Sequence, residues 1–172
     1  MKIRAYLFIG LVLLFSSVPA AFGQDLTIIL VRHAERDASP TMNRFDPDLA
    51  PEGRQRAVKL YETLKKYNPE QIFSTNYRRT RFTVDPLATN QNEKFRIFVQ
   101  AYDPAKLDVF AQELLKANAK TVVVAGHSNT TPKLANLLLK QEKYKDLDES
   151  VYNKIFIIRI KGNKVTDEVI EY

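Results

Sequence analysis

The sequence predicts an α/β fold: three layers, with a mainly parallel central sheet flanked by helices and a carboxyl-terminal β-hairpin. Three observations carry this expectation. Two short, unbroken runs, residues 26–31 (Leu-Thr-Ile-Ile-Leu-Val) and 121–125 (Thr-Val-Val-Val-Ala), have the β-branched, apolar composition of strands buried on both faces. Segments with helical spacing separate the strand candidates along the chain, the alternation that builds parallel sheets. Near the end, Gly162-Asn163 stands between residues 154–160 and 165–170, a two-residue turn signal between two strands.

Taken in order, residues 1–23 come first. Lys2 and Arg4 precede an apolar run over residues 5–15, then Pro19 and small residues up to Gly23. This is the pattern of a secretory signal peptide with cleavage before Gln24. The run falls short of the ~20 apolar residues that span a bilayer, so a retained anchor is the weaker alternative. The expected domains are therefore a signal peptide over 1–23 and one folded domain over 24–172, exported across the inner membrane and periplasmic in a Gram-negative cell. No stable membrane insertion is expected after cleavage.

Beyond the first strand, a helix is expected to open near Pro51 and Glu52, with Ala57, Leu60, Leu64 and Tyr67 on one stripe. Weaker strand candidates follow at 71–74 and 95–99. Leu107, Phe110, Leu114 and Ala117 form a second stripe behind Asp103-Pro104, where Asp suits the N-cap and Pro the first turn. After the strand at 121–125, a third helix is expected over 131–140, with Pro132 in its first turn and Leu134, Leu137 and Leu138 inward.

Composition narrows the function classes. The 172 residues, 45% hydrophobic and 27% charged, exclude a disordered or fibrous chain. The net charge of +6 includes Lys2 and Arg4, leaving +4 on the expected mature domain, too little to imply nucleic-acid binding. There is no cysteine, which rules out disulfides, thiolate-bound zinc and a lipidated cysteine anchor. With only two histidines, no metal and no cofactor are expected.

Those two histidines occupy equivalent places. His33 follows the first strand and His127 follows the strand at 121–125, where ligands of open α/β sheets bind. Either alone reads as an ordinary loop histidine; both together, with Arg32 and Arg36 beside one of them, point to a phosphate site. A phosphoryl group spreads charge over several oxygens, which guanidinium forks neutralise. A neutral imidazole can attack phosphorus and split one difficult displacement into two.

Four blocks then resemble the histidine phosphatase superfamily, the phosphoglycerate mutase-like enzymes. Arg32-His33-Ala34-Glu35-Arg36 is similar to its Arg-His-Gly/Ala-Glu signature. Residues 49–57, with Gly53 and Ala57, resemble its Leu-Thr-x-x-Gly block, and residues 74–80, ending Arg78-Arg79-Thr80, resemble its Ser-Ser-x-x-x-Arg-Ala/Thr block. Gly126-His127-Ser128-Asn129-Thr130 matches the second-histidine block of small bacterial members. The resemblance implies a histidine phosphatase domain over 24–172, with His33 as the phosphorylated nucleophile and Arg32, Arg79 and His127 as phosphoryl ligands. Arg79 directly precedes the Ala/Thr position; Arg78 and Arg81 are expected to be solvated helix charges. Backbone N–H groups beyond His127 suit an anion, and Ser128 and Asn129 are either substrate contacts or plain N-caps. Arg36 and the loop residues Arg44 and Phe45 are candidate substrate contacts.

The general acid is not plain. The larger acid phosphatase branch has Asp after its second histidine, where this chain has Ser128, and 149 residues leave no room for that branch's inserted domain. The smaller branch points to the stretch 93–103. Asp103 is the candidate there, with an N-cap role equally open; Glu35 is the second, with orientation of Arg32 or Arg36 as its alternative. Ala50 replaces the usual capping Thr or Ser, an expected cost of about 1 kcal/mol. The function expected is a metal-independent phosphomonoester hydrolase acting on a small phosphorylated substrate, for which a phosphorylated envelope sugar is one candidate. The competing expectation is a phosphate- or phosphoglycan-binding module that has lost turnover. Oligomeric state is not legible.

Overall fold

The computed structural model describes residues 25–39, 43–90 and 97–172. The expected signal peptide over 1–23 lies outside the described residues. Strand β1 (Asp25–Arg32) leads to helix α1 (Pro51–Leu64), and β2 (Gln71–Thr75) leads to α2 (Arg78–Asn90). Then come β3 (Val99–Tyr102), α3 (Leu107–Leu114), β4 (Thr121–Gly126), α4 (Thr130–Leu139) and the hairpin of β5 (Lys154–Lys161) and β6 (Lys164–Glu171). The sheet order is β3-β2-β4-β1-β5-β6, with β1 to β4 parallel and the last two strands antiparallel.

The alternation of side chains along each strand feeds two cores. Leu26, Ile28 and Leu30 pack with Val122, Val124, Phe110, Leu114, Leu134 and Leu138 on the face covered by α3 and α4. Ile29, Val31, Val123 and Ala125 pack with Leu60, Leu64, Val84 and Leu87 on the face covered by α1 and α2. β4 is buried at every position, as a central strand sandwiched by helices must be.

Local chemistry explains most boundaries. The apolar stripe of α1 buries Ala57, Leu60 and Leu64, and a 3₁₀ turn over Lys65–Tyr67 finishes it. Its N-cap Ala50 makes no side-chain cap bond; instead Ala50 N–H donates to the Glu35 carbonyl at 2.9 Å. Gly53 lies so close to that same carbonyl that a Cβ would stand 2.2 Å from the oxygen, so only glycine fits. In the hairpin, Gly162 takes a φ of +57° at the first turn position, the pattern of a type II′ turn.

Two expectations need correction. Asp103-Pro104 does not cap α3, which starts at Leu107 behind Lys106. The Asp103 carboxylate instead accepts from Ala105 N–H at 2.9 Å and its carbonyl accepts from Lys106 N–H at 3.0 Å, a closed turn ahead of the helix. The third strand runs from Val99 to Tyr102 rather than over 95–99, because Val99 pairs with Ile72 while Phe98 is largely exposed. Residues 91–96 lie outside the described residues.

Candidate active site

β1 and β4 are sheet neighbours, with Arg32 opposite Gly126, so the residues after each strand meet above the same edge. His33 N–H donates to the Gly126 carbonyl at 2.9 Å, extending the ladder by one step. The imidazoles of His33 and His127 consequently lie edge to face, 5.4 Å between centroids. Gly126 has no room for a side chain, since a Cβ would meet the hydroxyls of Tyr102, Thr130 and Thr131 within 3.0 Å.

His33 is 5% exposed. Its Nδ1 lies 2.8 Å from the Ala34 carbonyl, which can only accept, so Nδ1 carries the proton and Nε2 keeps its lone pair. Burial drives this imidazole down to about 3, with the Ala34 bond opposing and His127, Arg79 and Arg32 adding to the fall. It is neutral near pH 7, the state in which an imidazole nitrogen can attack an electrophile. Ala34 N–H is held in turn by the Thr83 hydroxyl at 2.8 Å, which itself donates to the Arg79 carbonyl at 2.7 Å, so α2 fixes the loop that carries His33.

His127 is lowered to about 4, by burial first and then by Arg79 and Arg32. Its Nε2 lies 3.0 Å from the Thr75 hydroxyl. Thr80 donates to the carbonyls of Tyr77 and Thr75, so Thr75 donates onward to Thr80 and accepts from His127 Nε2–H. The ring's other nitrogen, Nδ1, remains for a ligand. His127 N–H donates to Thr130 Oγ1 at 2.9 Å, and Asn129, at the N-cap of α4, makes no side-chain cap bond.

Arg32 is 1% exposed. Its Nη1 is shared among the carbonyls of Asp148, Glu149 and Val151 at 2.9, 3.1 and 2.9 Å, and its guanidinium lies 4.1 Å over the Tyr152 ring. Nη2 donates to the Glu149 carboxylate at 2.7 Å, while the buried Nε has no partner. The Arg32 charge reaches both imidazoles, where it helps to keep each of them neutral.

A cleft of about 320 Å³ opens over the two histidines, lined by His33, Arg36, Arg44, Phe45, Pro47, Arg79, His127, Ser128, Asn129 and Glu149, while Arg32 lies buried beneath and is not among its lining residues. Arg36, Arg44, Ser128 and Asn129 are therefore all brought to it, as is Arg79, stacked 4.4 Å over Tyr77. Arg78 turns away to Asp48, whose carboxylate it meets at 2.5 and 2.9 Å. Neither candidate acid lines the cleft. Asp103 is held in its turn, and Glu35 accepts from Arg56 Nε at 2.8 and 2.9 Å, an ion pair that outweighs burial and holds its carboxyl below the usual range. Glu93 lies outside the described residues.

Sequence reasoning missed Thr75, Thr83, Tyr152 and Glu149. Thr75 and Thr83 sat within or near the block around Arg79, which was the available signal; Tyr152 and Glu149 had none. A larger groove, about 670 Å³, lies between α2 and β3, lined by Arg81, Phe82, Asp85 and Phe98 among others, and holds neither histidine.

The family model described as histidine phosphatase superfamily, branch 1, matches residues 28–99, which include His33 and Arg79 but not His127. No curated protein matches the chain. Among solved structures, a candidate phosphohistidine phosphatase SixA from Agrobacterium tumefaciens is similar with a TM-score of 0.62 and 16% identity, covering 85% of this chain and 98% of its own. A candidate α-ribazole-5′-phosphate phosphatase from Escherichia coli K-12 gives 0.65 at 12% identity, covering 86% and 96%. A mycobacterial glucosyl-3-phosphoglycerate phosphatase gives 0.60 at 16%, covering 86% and 98%. At these identities the likeness establishes the fold.

Proposed function

We propose that this chain, whose residues 28–99 match the histidine phosphatase superfamily model and whose fold is similar to that of solved phosphatases, is an exported phosphomonoester hydrolase that works through a phosphohistidine on His33. The observation that carries this is the neutral His33 imidazole, its lone pair placed on Nε2 by the Ala34 carbonyl, in a cleft walled by guanidiniums. His33 Nε2 attacks phosphorus and the bond to the leaving oxygen breaks. Water then attacks the phosphohistidine, the P–N bond breaks, and phosphate and free His33 result. Arg32 and Arg79 are the cations that neutralise the phosphoryl oxygens without a metal, and His127 joins them as a donor once its Nδ1 takes a proton beside the bound dianion.

Arg36, Arg44, Ser128 and Asn129 face the rest of the substrate. A cleft of about 320 Å³, rich in polar groups, suits a small phosphorylated head group, and the signal-like residues 1–23 favour one met outside the cytoplasm, such as a phosphorylated envelope sugar. Among the described residues no helix is long and apolar enough to cross a membrane.

The test is hydrolysis of p-nitrophenyl phosphate in chelator by the purified protein and by His33→Ala. Turnover abolished in the variant, with acid-labile phosphate trapped on the wild type, is the expected result. Undiminished turnover in the variant overturns the assignment. The placement of Asp103 and Glu35 away from the cleft favours one other reading, a phosphate-binding module without turnover. That reading predicts phosphate binding with no hydrolysis and near-normal binding by His33→Ala.

A further inference from the structure

The proposed hydrolysis requires a proton at the leaving oxygen and a base for water, and the sequence candidates for both lie elsewhere. Among the described residues, Glu149 is the only carboxylate lining the cleft that holds both imidazoles. The neighbouring acids are committed: Glu35 to Arg56, Asp48 to Arg78, Asp46 to the Arg78 backbone N–H at 2.8 Å, and Asp103 to its turn.

Glu149 stands on a turn built around the arginine that precedes the nucleophile. Arg32 Nη1 bonds the carbonyls of Asp148, Glu149 and Val151, Asp148 caps Ser150 N–H at 2.9 Å, and Leu147 N–H donates to the Ser128 carbonyl at 2.9 Å. The backbone position of Glu149 is thus registered against β1 on one side and the start of α4 on the other. Its carboxylate accepts from Arg32 Nη2 and from Ser128 Oγ, each at 2.7 Å. Yet the side chain is 78% exposed, held at one end and open to the mouth, where a leaving alcohol departs and water enters.

We propose that Glu149 is the proton-transfer group of this site, an inference that rests on the phosphatase reading above. As the His33 Nε2–P bond forms and the P–O bond breaks, the Glu149 carboxyl gives its proton to the leaving oxygen, which departs as the alcohol. In the second half, the Glu149 carboxylate takes a proton from water as the new O–P bond forms and the P–N bond breaks, restoring the acid. The Ser128 bond first, opposed by burial and then aided by Arg32, holds this carboxyl below its usual range. A phosphoryl dianion competing for those same donors, and placing negative charge beside the carboxylate, reverses that bias toward the acid form.

The experiment compares kcat/KM of the wild type, Glu149→Gln, Glu149→Asp and, as a control, Asp103→Asn on p-nitrophenyl phosphate, phenyl phosphate and glycerol 2-phosphate. Glu149→Gln keeps hydrogen-bonding groups at both contacts but carries no transferable proton. The expected result is a change of only a few-fold on the nitrophenyl ester and a loss of ~10²-fold or more on glycerol 2-phosphate, with Glu149→Asp partly restored and Asp103→Asn following the wild type. An equal loss on all three esters would make Glu149 a positioning group for Arg32 and overturn the proposal. A gain on all three would make it a competitor of the phosphoryl group, which also overturns it. If the wild type shows no His33-dependent turnover even of the nitrophenyl ester, the phosphatase reading itself fails and takes this inference with it.

Discussion

Replacing His33 by Asn should flatten the dependence of stability on pH between 7 and 5. In the folded protein the His33 imidazole titrates at about 3, mainly because it is buried, against 6.5 for an ordinary histidine. Between those values the unfolded chain binds a proton that the folded one refuses. Stability is therefore complete above pH 6.5 and declines as pH falls toward 3. At pH 5, about 1.5 below the unfolded value, the loss reaches about 2 kcal/mol at ~1.4 kcal/mol per tenfold. His127, lowered to about 4, acts in the same direction in both proteins and largely cancels from the comparison. The assay is urea unfolding followed by circular dichroism, at pH 7 and pH 5. Wild type should lose about 2 kcal/mol more than the variant between the two conditions. Equal losses would mean that folded His33 is already protonated at pH 5, and the neutral nucleophile would have to be abandoned.

Two further substitutions separate groups the chain places side by side. Arg79→Ala removes a guanidinium from the cleft and should lower kcat/KM on the nitrophenyl ester by ~10²-fold or more, while Arg78→Ala, whose side chain pairs with Asp48, should stay within a few-fold in the same steady-state assay. Gly53→Ala forces a Cβ against the Glu35 carbonyl and should cost about 1–3 kcal/mol or more in thermal or urea unfolding; an unchanged midpoint would show that α1 can shift freely.

The fold was legible where local pattern and tertiary fate coincide. The β-branched runs of β1 and β4 are buried on both faces because helices cover both, and the stripe of α1 points where its period says. Asp103-Pro104 misled because an Asp that closes a turn on the next residues looks the same in sequence as an Asp that caps a helix. Phe98 misled because apolar content marks a strand only where something packs on it, and this ring is 80% exposed. At the site, His33 and His127 stood out because strand ends and a chemical rarity, two histidines in all, marked them, whereas Arg79 stood out only through the resemblance of its block to the family's. Thr75, Thr83, Tyr152 and Glu149 act through contacts spanning 49 to 117 positions for Thr83 with Ala34, Thr75 with His127 and Glu149 with Arg32. Threonines and acidic loops are common, and only the folded chain says which of them arrive.

The place of β1 in the sheet also governs the order in which the molecule can come into being. Its hydrogen-bonding neighbours are β4 and β5, so the first strand made waits for nearly the last, and its immediate successor β2 never touches it. His33 has no Gly126 carbonyl to meet, and Arg32 no turn to enter, until the chain has emerged past Val151. Such distant pairings make for slow folding. On the function proposed above, phosphate would then recognise only chains in which β4 has joined β1 and the turn at 148–151 has reached Arg32.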